Sequence, residues 1–171
     1  MTESRGSKGK IVVGVDGTPA SRAALRWAID EARCRGDRVH VVYAWGSKMV
    51  AETHPHARPA AINHESGEAA RVLDYAVSGL VDTGEDDVEM EREVVESAPS
   101  TALLTASLDA ELLVVGSRGH SAFANLFLGS VSHDCAAHAP CPVVLVHSEE
   151  EQERRADRIA AAAGRVSRSR R

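Results

Sequence analysis

Residues 10–19 read Lys-Ile-Val-Val-Gly-Val-Asp-Gly-Thr-Pro. Lys10–Asp16 is a short apolar run that closes on Gly and Asp, the pattern of a strand buried on both faces. Thr18-Pro19 then reads as a helix N-cap followed by proline at the first helical position, where its missing N–H costs nothing. The helix is expected to run to about Arg35. Ala20, Ala24, Trp27 and Ala28 share its apolar face, and Arg22, Arg26, Asp30 and Arg33 share the polar one. Gly36 stops it.

The same strand–helix unit recurs outward from this start. Arg38–Trp45 is a second strand. Residues 46–65 have no clear period and contain His54, Pro55, His56 and Pro59, so they read as a long loop over one end of the sheet. Helical spacing resumes from Ser66 to about Val81 through Ala69, Val72, Leu73, Ala76 and Leu80. Asp82–Asp87 is an acidic turn, and Val88–Val95 alternates as a half-exposed edge strand. Pro99 opens a helix to about Asp109, with Leu103 and Leu104 inward. Glu111–Gly116 is a buried strand, and Ser117–Leu128 a loop. Residues from Gly129 to about Ala139 form a helix ended by Pro140. Pro142–His147 is the last strand.

Strands separated by helices need crossover connections, which imply a parallel sheet covered on both faces. The expected fold is an open, doubly wound, five-stranded parallel α/β sheet of Rossmann-like type, strand order 3-2-1-4-5. Its switch point lies between strands one and four, and ligands bind beyond the carboxyl ends of strands there. Gly14, Val15 and Asp16 leave the first strand at that point; Val115, Gly116 and Ser117 leave the fourth.

The fourth strand ends in Gly116-Ser117-Arg118-Gly119, followed after nine residues by Gly129-Ser130-Val131-Ser132. Gly116 permits a tight turn and Gly119 a close backbone approach to a ligand. Gly129-Ser130 opens a helix whose free N–H groups and dipole favour an anion, with the hydroxyls of Ser130 and Ser132 beside them. No G-x-x-x-x-G-K-[ST] motif is present, so this is a phosphate cradle made of backbone and not a P-loop.

With VVGVDGT at 12–18, the G-x2-G-x9-G-[ST] pattern at 116–130 and CPVVLV at 141–146, the chain resembles the universal stress protein family, ATP-binding subgroup. The likeness covers about residues 10–147. It implies that ATP, with Mg2+ through its phosphates, is bound by Gly14, Val15, Asp16, Ala44, Val115, Gly116, Ser117, Arg118, Gly119, Gly129, Ser130, Val131 and Ser132. In that picture Asp16 meets the ribose and adenine side, and the Ala44 backbone reads the adenine edge. Val115, Gly116 and Gly119 pass along ribose and phosphates. Gly129 to Ser132 hold the β- and γ-phosphates. The resemblance also implies a homodimer through the last strand, Val143–Val146, an apolar edge that pairs with its two-fold mate. Proline at Val144 is then expected to give monomers.

Fast phosphoryl transfer requires a positioned base and charge compensation. Here there is one Arg, Arg118, and serines. The expectation is a nucleotide-dependent sensor or adaptor with slow or no hydrolysis, and no residue is assigned a catalytic role. A nucleotide-independent interaction module and a slow ATPase are the competing classes.

Each motif has a plainer reading. Asp16 would equally cap the helix that follows it. His133, Cys135, His138 and Cys141 spell H-x-C-x2-H-x2-C, but two histidines five apart do not share a helix face, and Cys141 lies beyond Pro140. Buried thiols and a helix-end histidine explain them, and no metal site is expected. The three cysteines, odd in number and without Cys-x-x-Cys, suit reduced thiols and a cytoplasmic protein. No apolar run reaches the ~20 residues of a membrane helix, and residues 1–9 form a polar tail without a signal core.

Charge completes the picture. Residues 10–148, read as the nucleotide-binding domain, carry 11 basic and 19 acidic side chains, which disfavours nucleic acid. Eight of those acids fall in 82–96 and place the negative charge at the far sheet edge from the glycine loops. Residues 149–171 read as a charged tail, part frayed helix and part disordered.

Overall fold

The computed structural model describes residues 8–45, 66–81, 88–119 and 128–168. The chain runs β1 (Lys10–Gly14), α1 (Pro19–Arg35), β2 (Arg38–Trp45), α2 (Ser66–Val81), β3 (Met90–Glu96), α3 (Pro99–Ala106), β4 (Leu112–Gly116), α4 (Ser130–His138), β5 (Val143–Val146) and α5 (Glu149–Arg168). The five strands form one sheet in the order β3-β2-β1-β4-β5, all parallel. This is the doubly wound topology expected from the alternation of elements. The 46–65 loop, the 82–87 turn and most of the 117–128 loop fall outside the described residues.

Successive side chains of a strand point to opposite faces, and β1 shows the result. Ile11 and Val13 join Ala24, Leu25, Ala28 and Ile29 of α1 and Leu73, Ala76 and Val77 of α2 in one core layer. Val12 faces the other layer with Ala102 and Leu103 of α3 and Cys135 of α4. Ile11, Val12 and Val13 are all fully buried, which is why this strand reads as continuous hydrophobicity rather than alternation.

The elements end where local chemistry stops them. β1 closes at Gly14 rather than Asp16, because Asp16 turns its carboxylate onto Thr18. Gly36 caps α1 in the left-handed region at φ 76°, where its N–H reaches the Ala32 carbonyl. α3 ends at Ala106, short of the expected Asp109, as the Ser107 hydroxyl donates to the Leu104 carbonyl. β3 is the expected edge strand, with Glu91, Glu93 and Glu96 exposed.

In the charged C-terminal segment, residues 149–168 form a helix, the helical part of the expected tail. The Ser148 carbonyl accepts from the N–H groups of Glu151 and Gln152, the Gln152 side chain donates to the His147 carbonyl, and Arg154 pairs with Glu150 at 2.9 Å. Glu149, Glu150 and Glu151 in the first turn suit the positive end of the helix dipole. Among the described residues no helix is long and apolar enough to cross a membrane.

β5 is the free edge on the β4 side. The Leu113 and Ser117 N–H groups donate to the Pro142 and Val146 carbonyls. Backbone groups alternate along a strand, so the amide of Val144 also faces β4, and those of Val143 and Leu145 face outward. Proline at Val144 would therefore damage the β4–β5 ladder itself. Leu145 is the position whose amide serves the free edge.

Candidate functional site

The carboxyl ends of β1 and β4 lie side by side, with Val12 opposite Leu113 and Val13 opposite Val114. After β1 the chain makes a tight turn. Val15 is buried and its N–H donates to the Val42 carbonyl. The Asp16 carboxylate accepts from the Thr18 N–H at 2.9 Å and from its hydroxyl at 2.6 Å. Gly17 takes φ 82°, a conformation L side chains rarely adopt. Thr18 is the N-cap of α1, its hydroxyl oxygen accepting from the Ser21 N–H. The capping reading of Asp16 is corrected. Asp16 does not cap the helix, but it orients the residue that does, and its second carboxylate oxygen lies where a Cβ on Gly119 would sit 2.8 Å away.

On the β4 side, Ser117 is fully buried. Its N–H donates to Val146, its carbonyl accepts from the Gly129 N–H at 2.9 Å, and its hydroxyl donates to Glu151 at 2.7 Å. Ser117 therefore ties the β4 end to the start of α4. Ser132 does the same from the helix, with its buried hydroxyl donating to the Gly116 carbonyl at 2.6 Å. Gly129 is the N-cap of α4 and supplies no side-chain cap. The first hydrogen bond of the helix runs from His133 N–H to the Gly129 carbonyl, so the amides of Ser130, Val131 and Ser132 precede any intrahelical partner. A Cβ on Gly129 would lie 3.5 Å from the Gly119 nitrogen, in open contact range over these donors.

The glycines divide by what surrounds them. A Cβ on Gly14 would strike Leu103 of α3 at 2.8 Å, and one on Gly116 would meet the Ala20 and Ser21 backbone of α1 at 2.9 Å. Both let helices approach the sheet. Gly119 and Gly129 instead border Asp16 and the α4 amides. Ala44 is the penultimate residue of β2, opposite Val95, and Val115 lies buried within β4.

One side chain at this site was not found from the sequence. Glu151 of α5 receives the Ser117 hydroxyl, lies 3.1 Å from Arg118 Nε and stands 3.5 Å from His147 Nδ1. Burial pushes its carboxyl up, but the Ser117 hydrogen bond and the Arg118 charge more than offset that and hold it below the usual glutamate range. The acidic charge is thus not confined to the far edge of the sheet. A signal was present in the acidic triplet 149–151 directly after β5, the strand beside β4.

The histidine and cysteine motif does not converge. Cys135 is buried in the core, and burial, with Asp134 beside it, pushes its thiol up to about 11. His133 and His138 are exposed, and His138 Nδ1 contacts the Asp134 carbonyl. Among the described residues no three metal-binding side chains cluster. A polar cleft of about 550 Å³ opens at the opposite, amino end of the sheet. Within it Lys8 pairs with Glu89 and Lys10 with Asp109, and Arg38 reaches Glu91.

The sequence pattern of the Universal stress protein family matches residues 8–147. A universal stress protein of Mycobacterium tuberculosis is 30% identical over 152 residues, covering 88% of this chain and 51% of that protein. A universal stress protein of Mycolicibacterium smegmatis is 34% identical over 136 residues, covering 80% and 45%. The chain spans about half the length of the curated relatives it matches. Among solved structures, the universal stress protein from Archaeoglobus fulgidus in complex with dAMP is 27% identical with a TM-score of 0.56, covering 81% of this chain and 97% of that one. A universal stress protein in complex with cAMP shares the fold at a TM-score of 0.60 and 24% identity, over 84% of this chain and 100% of that one.

Proposed function

The chain belongs to the universal stress protein family, and on that premise we propose that it binds an adenine nucleotide, ATP among them, at the carboxyl ends of β1 and β4. The observation that carries the reading is the open N-terminus of α4. Among the described residues no side chain caps its first amides, and Gly119 brings bare backbone between them and the Asp16 carboxylate. Oriented backbone N–H groups at a helix start hold phosphate without lysine. An archaeal relative of similar fold holds dAMP, which supports the adenine assignment.

In this reading the α4 amides and Ser130 take the terminal phosphates. Gly116 and Gly119 pass along the ribose and inner phosphates, Asp16 meets the sugar, and the Ala44 backbone reads the base. Ser117 and Ser132 hold the cradle in shape. Mg2+ would arrive on the phosphates. With Arg118 paired to Glu151 and Arg22 held on the Gly17 carbonyl at 2.8 Å, the site binds and reports nucleotide more readily than it hydrolyses it. The protein then acts as a nucleotide-dependent sensor or adaptor with turnover below about 1 s⁻¹, the low end for dedicated phosphoryl-transfer enzymes.

The test is mass spectrometry of the purified, denatured protein for co-eluting adenine nucleotide, followed by titration of the emptied protein with ATP and AMP. The expected result is retained nucleotide or saturable binding. No retained nucleotide and no saturable binding would overturn the reading.

The free edge of β5 carries the dimer part of the proposal. Its outward amides at Val143 and Leu145 suit antiparallel pairing with a second copy. Leu145→Pro removes one outward donor while leaving the β4 ladder intact, so light scattering is expected to show monomers with native circular dichroism. A dimer persisting in this variant would exclude the edge.

A further inference from the structure

Arg118 is the one charged side chain between Leu112 and His133, and it is already engaged. Glu151 reaches it from α5, which lies outside the segment matched to the family. The contact is not an incidental surface pair. Glu151 is mostly shielded, with 14% of its side chain exposed, and it also accepts from Ser117, which is fully buried and whose carbonyl holds Gly129. It is a carboxylate with hydrogen-bond donors and a cation around it, seated against the strand end that carries the phosphate loop. Its neighbours differ in this respect. Glu149 and Glu150 are exposed, and the first pairs with Arg26 and the second with Arg154 at the surface.

We propose that Glu151 is a specificity-determining residue of the nucleotide site, a built-in anion on Ser117 and Arg118 that makes the site rank nucleotides by phosphate charge. This rests on the reading that the site binds adenine nucleotides. Glu151 offsets the charge of Arg118, so the cradle offers a polyphosphate backbone dipoles and the Ser130 hydroxyl but no net positive charge from Arg118. Each further phosphate also adds repulsion from the carboxylate. A monophosphate carries less charge and is penalised least. A triphosphate gains Arg118 only by displacing Glu151, which frees the first turn of α5. Nucleotide charge is thereby converted into the state of the C-terminal helix, because any ligand that prefers the undocked arrangement shifts the population toward it.

The experiment uses the full chain, emptied of nucleotide, as wild type, Glu151→Gln and Glu150→Gln. Binding of ATP and AMP is measured by calorimetry at low and high NaCl. Glu151→Gln keeps a partner for the Ser117 hydroxyl but removes the charge. It is expected to tighten ATP by about tenfold and AMP by no more than about twofold. The difference should shrink at high salt, and Glu150→Gln should behave as wild type. Amide exchange in residues 149–155 of wild type should rise with ATP and stay unchanged with AMP. Equal changes for ATP and AMP in Glu151→Gln, or none, would overturn the inference while leaving nucleotide binding intact. ATP binding with no change in α5 exchange would overturn the coupling to the helix. ATP binding by Glu151→Gln alone would support it strongly. Failure of all three proteins to bind either nucleotide removes the underlying reading and the inference with it.

Discussion

A Gly129→Asp chain is expected to melt at or slightly above the wild-type temperature and to lose adenine-nucleotide affinity by about 100-fold. Gly129 is the N-cap of α4 and contributes no side chain to it. Aspartate is among the best N-cap residues, and replacing glycine there changes helix stability by only a few tenths of a kcal/mol, in the favourable direction. Among the described residues a Cβ at this position meets nothing closer than 3.5 Å, which is ordinary contact distance. The new carboxylate accepts from the same amides that would hold phosphate, and it brings like charge to the place where phosphate charge must sit. Stability and binding therefore move in opposite directions. A thermal melt with a nucleotide titration checks this, and an affinity within about threefold of wild type would remove phosphate from the α4 N-terminus.

The second large effect is on folding. Gly116→Ala is expected to cost about 1–3 kcal/mol and Gly116→Val more than about 3 kcal/mol, the second leaving little folded protein. The added Cβ would lie 2.9 Å from the Ala20 carbonyl carbon and the Ser21 nitrogen, and 3.1 Å from the Ala20 Cβ. Two of these three are backbone atoms, and they cannot rotate aside. They belong to the first turn of α1, which Thr18 caps and which is fixed further along by Ala24, Leu25, Ala28 and Ile29, all fully buried. Relief requires α1 to lift from the sheet and open that layer. Urea unfolding measures the loss. A Gly116→Ala protein within about 0.5 kcal/mol of wild type would show that α1 shifts freely. The contrast with Gly129 is informative, because the two glycines of one motif answer to different constraints.

Much of this site was legible in the residues alone. Lys10–Gly14 and Leu112–Gly116 announce buried parallel strands by being apolar throughout, and a doubly wound order places their ends together. That is enough to bring Asp16, Gly119 and Gly129 to one place. The rest needed contacts between elements distant in sequence. Gly14 looks like a ligand glycine until Leu103 is found against it, 89 positions away in the chain. Ser132 looks like a free hydroxyl until it is seen donating to Gly116. Which β5 amides face outward depends on the register with β4, and no periodicity in Val143–Val146 reveals it.

Glu151 shows the division most clearly. Net charge and its blocks are properties of the sequence, and they correctly place Glu91, Glu93 and Glu96 on the exposed β3 edge. They also suggest that the glycine loops carry no acid, because residues 112–133 hold none. The sequence by itself determined the family, the topology and the backbone character of the proposed cradle, since these follow from local periodicity and from the spacing of glycines. Only the tertiary structure decided that Gly116 serves packing and that a C-terminal carboxylate shares Arg118 with the site. The physical reason is that hydrophobic period and helix caps act over a few residues, whereas steric contact and charge act through space, between segments that the sheet brings together.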